Sequence, residues 1–160
     1  MSDVAHAVAV VGSRSIVKAA QFIKEFCPSG GWAQKAGLYK ADVEAVGSYD
    51  QVYSRDDVDC IYIGTPHTDH YASAKAALEA NKNVLCEKPV TVTADQARVL
   101  TTLAQTKGLF FMEGKSEQGK GEERFSSTAR CRKTGLRCAY RCMDTILPFG
   151  VCFAKGTSPG

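Results

Sequence analysis

The chain alternates short apolar runs with longer stretches in which apolar residues recur at helical spacing. The apolar runs predict buried strands over residues 5–11, 43–46, 60–64, 83–86 and 109–112. The helical spacing predicts helices over residues 15–27, 49–55, 68–81 and 93–107, while residues 32–41 are ambiguous, with a short helix as one alternative. Because strands alternate with helices, we expect an α/β fold with a parallel sheet and helices on both faces.

Local signals mark where three of these helices begin or end. Ser15 and Thr68 are residues of the type that caps a helix N-terminus. Thr93 and Gln96 form a capping box at the start of the last predicted helix, and Gly108 stands where that helix should stop. We expect the three helices to begin directly after these caps.

Parallel sheets bind ligands at the carboxyl ends of their strands, and this rule selects three turns of the chain. The turns are Gly12–Ser15 after the first predicted strand, Gly64–His70 after the third, and Glu87–Pro89 after the fourth. We expect them to lie along one edge of the sheet and to form the functional site.

The 160 residues have the length of one ordinary domain. The balance of charged residues nevertheless differs between the segments before and after Gly114. Residues 1–114 hold eleven Lys and Arg against thirteen Asp and Glu, a net charge of −2, whereas residues 115–160 hold nine against four, a net charge of +5. The second segment is polar and shows neither the helical nor the strand period, and its one apolar stretch is at residues 143–153. We therefore expect residues 1–114 to fold and residues 115–160 to form a basic, poorly ordered tail.

The tail predicts no specific partner. Its positive charge attracts nucleic acid without sequence preference, but it contains no recognisable nucleic-acid-binding motif. Its cysteines (Cys131, Cys138, Cys142 and Cys152) are separated by six, three and nine residues, a poor match to the paired spacing of zinc sites. Reduced thiols in a disordered tail are the favoured interpretation.

The N-terminal sequence MSDVAHAVAVVG has no basic segment and only a short apolar run, which predicts neither a secretory signal nor a membrane span. Seven cysteines, an odd number, in such a chain predict reduced thiols and a reducing compartment. We therefore expect a cytoplasmic protein that does not bind a membrane.

Two motifs carry a family resemblance: IGTPH at residues 63–67 and EKP at residues 87–89, each at the end of a predicted strand. Residues 57–114 resemble almost continuously the nucleotide-binding domain of the glucose–fructose oxidoreductase / inositol dehydrogenase / MocA (Gfo/Idh/MocA) family, and a weaker resemblance reaches back to residue 5. Within this family the chain is most similar to the fungal dimeric dihydrodiol dehydrogenase and NADP-dependent D-xylose 1-dehydrogenase group. The resemblance implies NADP-dependent oxidation of a CH–OH group of a sugar or a dihydrodiol.

The resemblance assigns the stretch from Val8 to Ser15 to the family's second βα turn, where the adenosine ribose lies. An acidic residue there would bond the ribose hydroxyls of NAD, whereas Ser13, Arg14 and Ser15 offer guanidinium and hydroxyl donors to a 2′-phosphate. The implied cofactor is NADP, with NAD less favoured. The alternative is a solvated arginine beside an N-cap serine.

Lys88 is the implied catalytic residue, because the equivalent lysine of the family reaches the nicotinamide ribose and the substrate hydroxyl. Its charge would stabilise the alkoxide that develops as hydride leaves, and it can join the proton relay. Glu87 would position Lys88 or pair with it, and both would then adjoin the cofactor. The alternative is a surface charge pair before a turn proline.

Thr65, Pro66 and His67 correspond to the family turn that lies along the cofactor, and we expect His70 to contact the cofactor as well or to help cap its helix. His67 and His70 also form an H-x-x-H pair. No cysteine or carboxylate at convincing spacing completes a metal site with them, so no metal is predicted.

The resemblance further implies that the chain begins at the family's second strand. No G-x-G-x-x-G motif occurs in the sequence, so we expect an incomplete Rossmann-like parallel sheet that lacks the first βα unit. The missing strand is central in the family, and its loss would separate the strands at residues 5–11 and 60–64 by roughly 10 Å. We expect these two strands to close up and pair directly.

After Gly114 the family continues into a β-sheet domain that supplies the substrate pocket, an acid–base tyrosine and most contacts of a homodimer. Residues 115–160 resemble none of it, so Tyr140 is not assigned the tyrosine's role. The chain is thus interpreted as a truncated form of an NADP-dependent dehydrogenase. The alternative is an inactive nucleotide-binding or regulatory fragment that associates with a full-length subunit.

Overall fold

The computed structural model describes residues 6–27, 39–114 and 151–156. Among these residues a six-stranded sheet carries helices on both faces. The strands are β1 (His6–Gly12), β2 (Tyr39–Val46), β3 (Cys60–Ile63), β4 (Asn83–Cys86), β5 (Phe111–Glu113) and β6 (Val151–Gly156). The helices are α1 (Ile16–Phe26), α2 (Asp50–Tyr53), α3 (His67–Glu79) and α4 (Ala94–Lys107).

The α/β class is confirmed, and apart from the short helix the elements predicted within residues 5–114 occur in the predicted order, with bounds that differ by a few residues. The largest difference is in β2, which begins at Tyr39 rather than at residue 43. The last three residues of the ambiguous range 32–41 are therefore extended, and its other residues lie outside the described part of the chain.

The capping box of α4 is confirmed. The Thr93 hydroxyl accepts a hydrogen bond from the backbone N–H of Gln96 at 3.3 Å, and the side chain of Gln96 accepts one from the N–H of Val92. Gly108 ends the helix with a φ of 66°, in the left-handed region that glycine adopts without strain.

The predicted N-cap of α3 is wrong by two residues. Pro66, not Thr68, holds the N-cap position, and its carbonyl accepts the backbone N–H of Asp69 at 2.8 Å. Proline has its φ already near the helical value, so the first turn forms around it and places Thr68 inside the helix. Ser15 does hold the N-cap of α1, but without a side-chain capping bond.

The strand order is β2-β1-β6-β3-β4-β5. β1 pairs with β2, β3 with β4, and β4 with β5 in parallel, whereas β6 is antiparallel to both of its neighbours. The direct pairing predicted for the first and third strands is wrong, because β6 lies between them. Its backbone satisfies the inner edges of both strands, which would otherwise lack partners.

β6 is the element that the sequence analysis missed, since it lies in the segment expected to be poorly ordered. Phe153 is its central residue in the pairing, opposite Val10 on one side and Ile61 on the other. The rest of that segment lies outside the described residues, and the expectation of poor order stays a prediction there.

The core lies on both faces of the sheet, as consecutive strand residues point in opposite directions. Val10 and Ile61 pack with α2, α3 and α4 on one face, in a cluster that includes Leu78 and Leu100. The neighbouring residue Val11 packs with α1 on the other face. This arrangement leaves the turns that follow β1, β3 and β4 at one edge of the sheet.

Candidate functional site

The three turns selected from the sequence lie at the carboxyl edge of the sheet. β1 and β3 are both antiparallel to β6, so they run in the same direction, and β4 is parallel to β3. Helix α3 connects the turns. Its Asp69 faces Arg14 on one side, and its His70 reaches the carbonyl of Pro89 on the other. The three turns therefore lie at one edge of the sheet, as predicted.

The turn after β1 presents Arg14 to solvent. The backbone N–H of Ser13 donates to the carbonyl of Val46 at 3.1 Å, which ties the start of the turn to β2. The Arg14 side chain is 74% exposed, and its Nη1 lies 3.9 Å from Oδ2 of Asp69, itself 41% exposed. Such a long, solvated ion pair is weak, so the guanidinium remains available to an incoming anion.

Arg14 also forms part of an open cleft of about 420 Å³ between α2 and α3. The other walls come from the turn after β2, from two tyrosines and from small residues of α3: Gly47, Ser48, Tyr49, Asp50, Tyr53, Ala72, Ser73 and Ala76. Burial raises the pKa of Tyr49, while the nearby charge of Arg14 lowers it and that of Asp69 raises it. Burial likewise raises the pKa of Tyr53, to about 12, so both phenols stay neutral at physiological pH.

The turn after β3 separates into a buried and an exposed part. Thr65 is buried, and its Oγ1 has no hydrogen-bond partner among the described residues. Pro66 and His67 are exposed at the sheet edge. Of the three residues in this turn that were predicted to lie along the cofactor, Pro66 and His67 are therefore accessible and Thr65 is not.

His70 points into the protein, which gives it a different place from the one predicted. The residue is 1% exposed, its Nδ1 lies 2.8 Å from the carbonyl oxygen of Pro89, and its Nε2 lies 2.7 Å from that of Thr65. Both ring nitrogens are thus engaged within the protein.

The turn after β4 is anchored by several hydrogen bonds. The Glu87 N–H donates to the carbonyl of Ile63 at 2.9 Å, and the Tyr62 hydroxyl donates to Oε1 of Glu87 at 2.6 Å. Further along, the Val90 N–H donates to Oε1 of Glu113 at 2.8 Å. These bonds fix both ends of the turn that carries Lys88.

Lys88 itself is exposed at the tip of this turn, and its peptide bond to Pro89 is cis. Oε2 of Glu87 accepts the backbone N–H of Lys88 at 3.3 Å. Among the described residues, Glu87 thus contacts the backbone of Lys88 and makes no ion pair with its ammonium. The positioning role expected of Glu87 stays a prediction.

The thiol of Cys86 lies at the base of the same turn. Burial, together with the negative charges of Glu87 and Glu113, raises the pKa of this thiol to about 12. The thiol is therefore neutral and unreactive under ordinary conditions.

Three residues of this edge were not predicted from the sequence: Tyr62, Asp69 as the partner of Arg14, and Glu113. Glu113 ends β5, so the rule that selected the other turns would also have found it. Tyr62 had a signal as well, because a tyrosine in a buried strand needs a partner for its hydroxyl. The Arg14–Asp69 contact joins two distant segments and has no local signal.

The described residues contain no group of three or more His, Cys, Asp and Glu that could hold a metal ion. Most of the tail cysteines considered for zinc lie outside these residues. No helix in the described part of the chain is both long and apolar enough to cross a bilayer.

The comparisons with known proteins concern the same part of the chain. The family model for Gfo/Idh/MocA proteins, described as an oxidoreductase family with an NAD-binding Rossmann fold, matches residues 6–115. D-xylose 1-dehydrogenase (NADP(+)) of Hypocrea jecorina is 42% identical over 112 residues, which are 69% of this chain and 26% of that protein. Trans-1,2-dihydrobenzene-1,2-diol dehydrogenase of Bos taurus is 38% identical over 109 residues, 68% of this chain and 28% of that one.

Solved structures give the same result. KijD10, a 3-ketoreductase from Actinomadura kijaniata in complex with NADP, is 34% identical with a TM-score of 0.55, over 67% of this chain and 29% of that chain. An NAD-binding oxidoreductase from Klebsiella pneumoniae is 26% identical with a TM-score of 0.53, and the match covers 68% of this chain and 25% of that chain. The chain therefore spans between a quarter and a third of the length of these relatives.

Proposed function

The chain belongs to the Gfo/Idh/MocA family of oxidoreductases, and on that premise we propose that it binds NADP and carries the catalytic lysine of an enzyme that oxidises a CH–OH group of a sugar or a dihydrodiol. One observation carries the proposal. Arg14 and Lys88 are both exposed on turns at the same edge of the sheet, and α3 contacts both turns.

The residues of this edge fit the two ends of NADP. At one end, the exposed guanidinium of Arg14 suits a 2′-phosphate, which it can hold with paired donors, and the hydroxyls of Ser13 and Ser15 adjoin it. At the other end, Lys88 stands on an anchored turn. Pro66 and His67 supply exposed surface on the turn between them.

The fit at the middle of the cofactor is incomplete. A Rossmann fold holds the pyrophosphate where a central strand turns into a helix. In the described part of the chain, β6 lies between β1 and β3. Its first residue, Val151, pairs with Gly12 and Ile63 at this edge. The amino end of a strand therefore lies where the carboxyl end would hold pyrophosphate.

NADP would supply the hydride acceptor, and the remaining chemistry falls to Lys88. Its ammonium would donate a hydrogen bond to the substrate oxygen and stabilise the negative charge that develops there, while a proton relay in which Lys88 takes part would carry the hydroxyl proton to solvent. The bonds from Tyr62 to Glu87 and from Val90 to Glu113 support this role, because a fixed backbone limits the reorganisation needed to reach the reacting oxygen.

The position of β6 favours a second candidate, a subunit that binds the nucleotide without turnover. Such a subunit would keep the adenosine end of the cofactor at Arg14, and would lack the pyrophosphate contacts that align the nicotinamide with Lys88. Binding and turnover must therefore be measured separately.

The first experiment is a titration of the purified chain with NADPH and with NADH, followed by nicotinamide fluorescence. We expect tighter binding of NADPH, and a loss of about tenfold or more in NADPH affinity in Arg14→Ala, since charge-assisted bonds to phosphate are strong. The affinity for NADH should stay unchanged. Lys24→Ala, which removes a lysine from the last turn of α1, is the matched control. Equal losses for both nucleotides in Arg14→Ala would contradict the role of Arg14.

The second experiment measures reduction of NADP by the chain in the presence of D-xylose and of a dihydrodiol. Turnover that Lys88→Met abolishes, with NADPH affinity unchanged, would support the enzyme. NADPH binding without turnover would favour the second candidate. Absence of NADPH binding would contradict both.

A further inference from the structure

The imidazole of His70 lies between two of the functional turns. Its Nε2 contacts the carbonyl oxygen of Thr65 at 2.7 Å, and its Nδ1 contacts that of Pro89 at 2.8 Å. The side chain is almost completely buried, in the first turn of α3. One ring thus spans the backbone of the turn after β3 and the backbone of the turn after β4.

The turn of Lys88 is held from three different elements, and His70 differs from the other two contacts. Glu87 is tied to β3 through the carbonyl of Ile63, and Val90 is tied to Glu113 at the end of β5. Each of those contacts fixes one end of the turn. Only the ring of His70, among these contacts, also binds the neighbouring Thr65 turn and thereby sets the distance between the two.

We propose that His70 is a positioning residue that joins the Thr65 turn to the turn of Lys88 through two backbone carbonyls. In this role its Nε2 determines the placement of the Thr65 turn, and its Nδ1 determines that of Pro89 and hence of Lys88. The proposal rests on the proposed function only for the claim that Lys88 meets a substrate. The two contacts and their separate effects concern the protein alone.

Two conservative variants separate the contacts. The side-chain amide of His70→Asn can take the place of Nδ1 and keep the bond to Pro89, while that of His70→Gln can take the place of Nε2 and keep the bond to Thr65. The readouts are two hydrogen-bonded backbone amides, Val90 in the turn of Lys88 and Asp69 beside the Thr65 turn. Their hydrogen exchange is measured by NMR.

We expect opposite responses from the two variants. His70→Asn should speed exchange at Asp69 about five- to tenfold, the effect of losing one typical hydrogen bond, and leave Val90 near its original rate. His70→Gln should speed exchange at Val90 and spare Asp69. His70→Phe, which removes both bonds, should speed both.

A residue that merely fills space would give another result. The exchange rates of both amides would then depend on the volume of the side chain at position 70. The Asn and Gln variants would change the two rates in the same direction, which would overturn the proposal. Phe22→Ala is the matched control for general destabilisation, because Phe22 is buried in α1, in the cluster on the other face of the sheet. Faster exchange in that variant should show no preference between the two amides.

The wild-type protein offers a measurement that does not depend on the variants folding. A ring N–H proton of His70 that exchanges with solvent as slowly as core amides supports the proposal. A ring proton that exchanges as fast as that of the exposed His67 overturns it. None of these readouts needs a nucleotide, so failure of NADPH to bind would contradict the proposed function while the positioning role is tested independently.

Discussion

The turns of Arg14 and Lys88 lie at the same edge of one sheet and are held in different ways. The Lys88 turn is bound through Glu87, Pro89 and Val90 to three separate elements. Among the described residues, one backbone bond at Ser13 ties the Arg14 turn to β2, and the charged side chain of Arg14 makes a long ion pair with the half-exposed Asp69.

This difference matches the tasks proposed for the two turns. A group that meets a developing charge is most effective when its position is fixed before the reaction, since no reorganisation is then needed. A group that grips a flexible phosphate can be ordered by the ligand itself, at some cost in affinity. The contrast leads us to expect that substitutions at the two turns will separate stability from binding.

The largest effect is expected in Gly12→Ala, because Gly12 is the buried last residue of β1, where the strand core and not the exposed part of the Arg14 turn is tested. A Cβ at Gly12 would lie 2.7 Å from Cγ2 of the fully buried Val52, so one of the two must move. We expect a loss of about 1–3 kcal/mol in the free energy of unfolding in urea, typical of overpacking. Gly47→Ala is the control, because its nearest neighbour would be the Ile16 nitrogen at 3.4 Å. Equal losses in both variants would contradict this account.

Tyr62→Phe tests the anchoring of the Lys88 turn. The change removes the hydroxyl that donates to Glu87 at 2.6 Å, and we expect it to cost about 1.5 kcal/mol, the low end for a bond to a charged group that water can partly replace. Chemical denaturation measures the cost. Tyr71→Phe, on the partly exposed side of α3, is the control. A stability as high as that of the wild type would show that this bond does not anchor the turn.

The thiol beneath the Lys88 turn predicts a dependence on alkaline pH. The pKa of Cys86 rises on folding from 9.0 to about 12, so the unfolded state loses its proton first. The stabilisation is complete below pH 9 and is lost as the pH rises toward 12. Wild-type protein should therefore lose about 1 kcal/mol more than Cys86→Ala between pH 8 and 10, measured by urea unfolding at each pH. Parallel pH profiles would contradict the prediction.

The smallest effect on stability is expected for Arg14→Gln. The side chain is 74% exposed and its ion pair is long, so the free energy of unfolding should change by less than about 0.5 kcal/mol. The same variant should lose affinity for NADPH. A large loss of stability would mean that the Arg14 turn is held as firmly as the other, and would remove the contrast between them.

The sequence predicted those elements whose signals are local. Thr93, Gln96 and Gly108 marked the ends of α4 because capping is decided within a few residues. The apolar run of β4 coincided with the observed strand because a buried parallel strand needs side chains that are apolar on both faces. The family motifs at residues 63–67 and 87–89 directly follow strands that were predicted from their apolar runs, so the family could be identified from the sequence.

What the sequence did not predict depends on partners far away along the chain. The interior position of His70 depends on carbonyls in two other turns, and a histidine in a first helical turn has no local feature that decides between burial and exposure. The placement of β6 depends on the open edges of β1 and β3, and a composition rich in charge and small residues concealed it. The burial of His70 and the pairing of β6 both depend on backbone groups that need hydrogen-bond partners. The periodicity of apolar residues carries no information on such partners.

The position of β6 also bears on how the chain folds. The pairs β1–β2 and β3–β4–β5 join segments that are close in sequence, so each group can form early, whereas Val10 and Phe153 meet only after a loop of more than a hundred residues has closed. Pairing over such a separation raises the contact order and slows folding. Until β6 arrives, two short sheets with unpaired inner edges would coexist in one chain, and that intermediate is where aggregation would compete with folding.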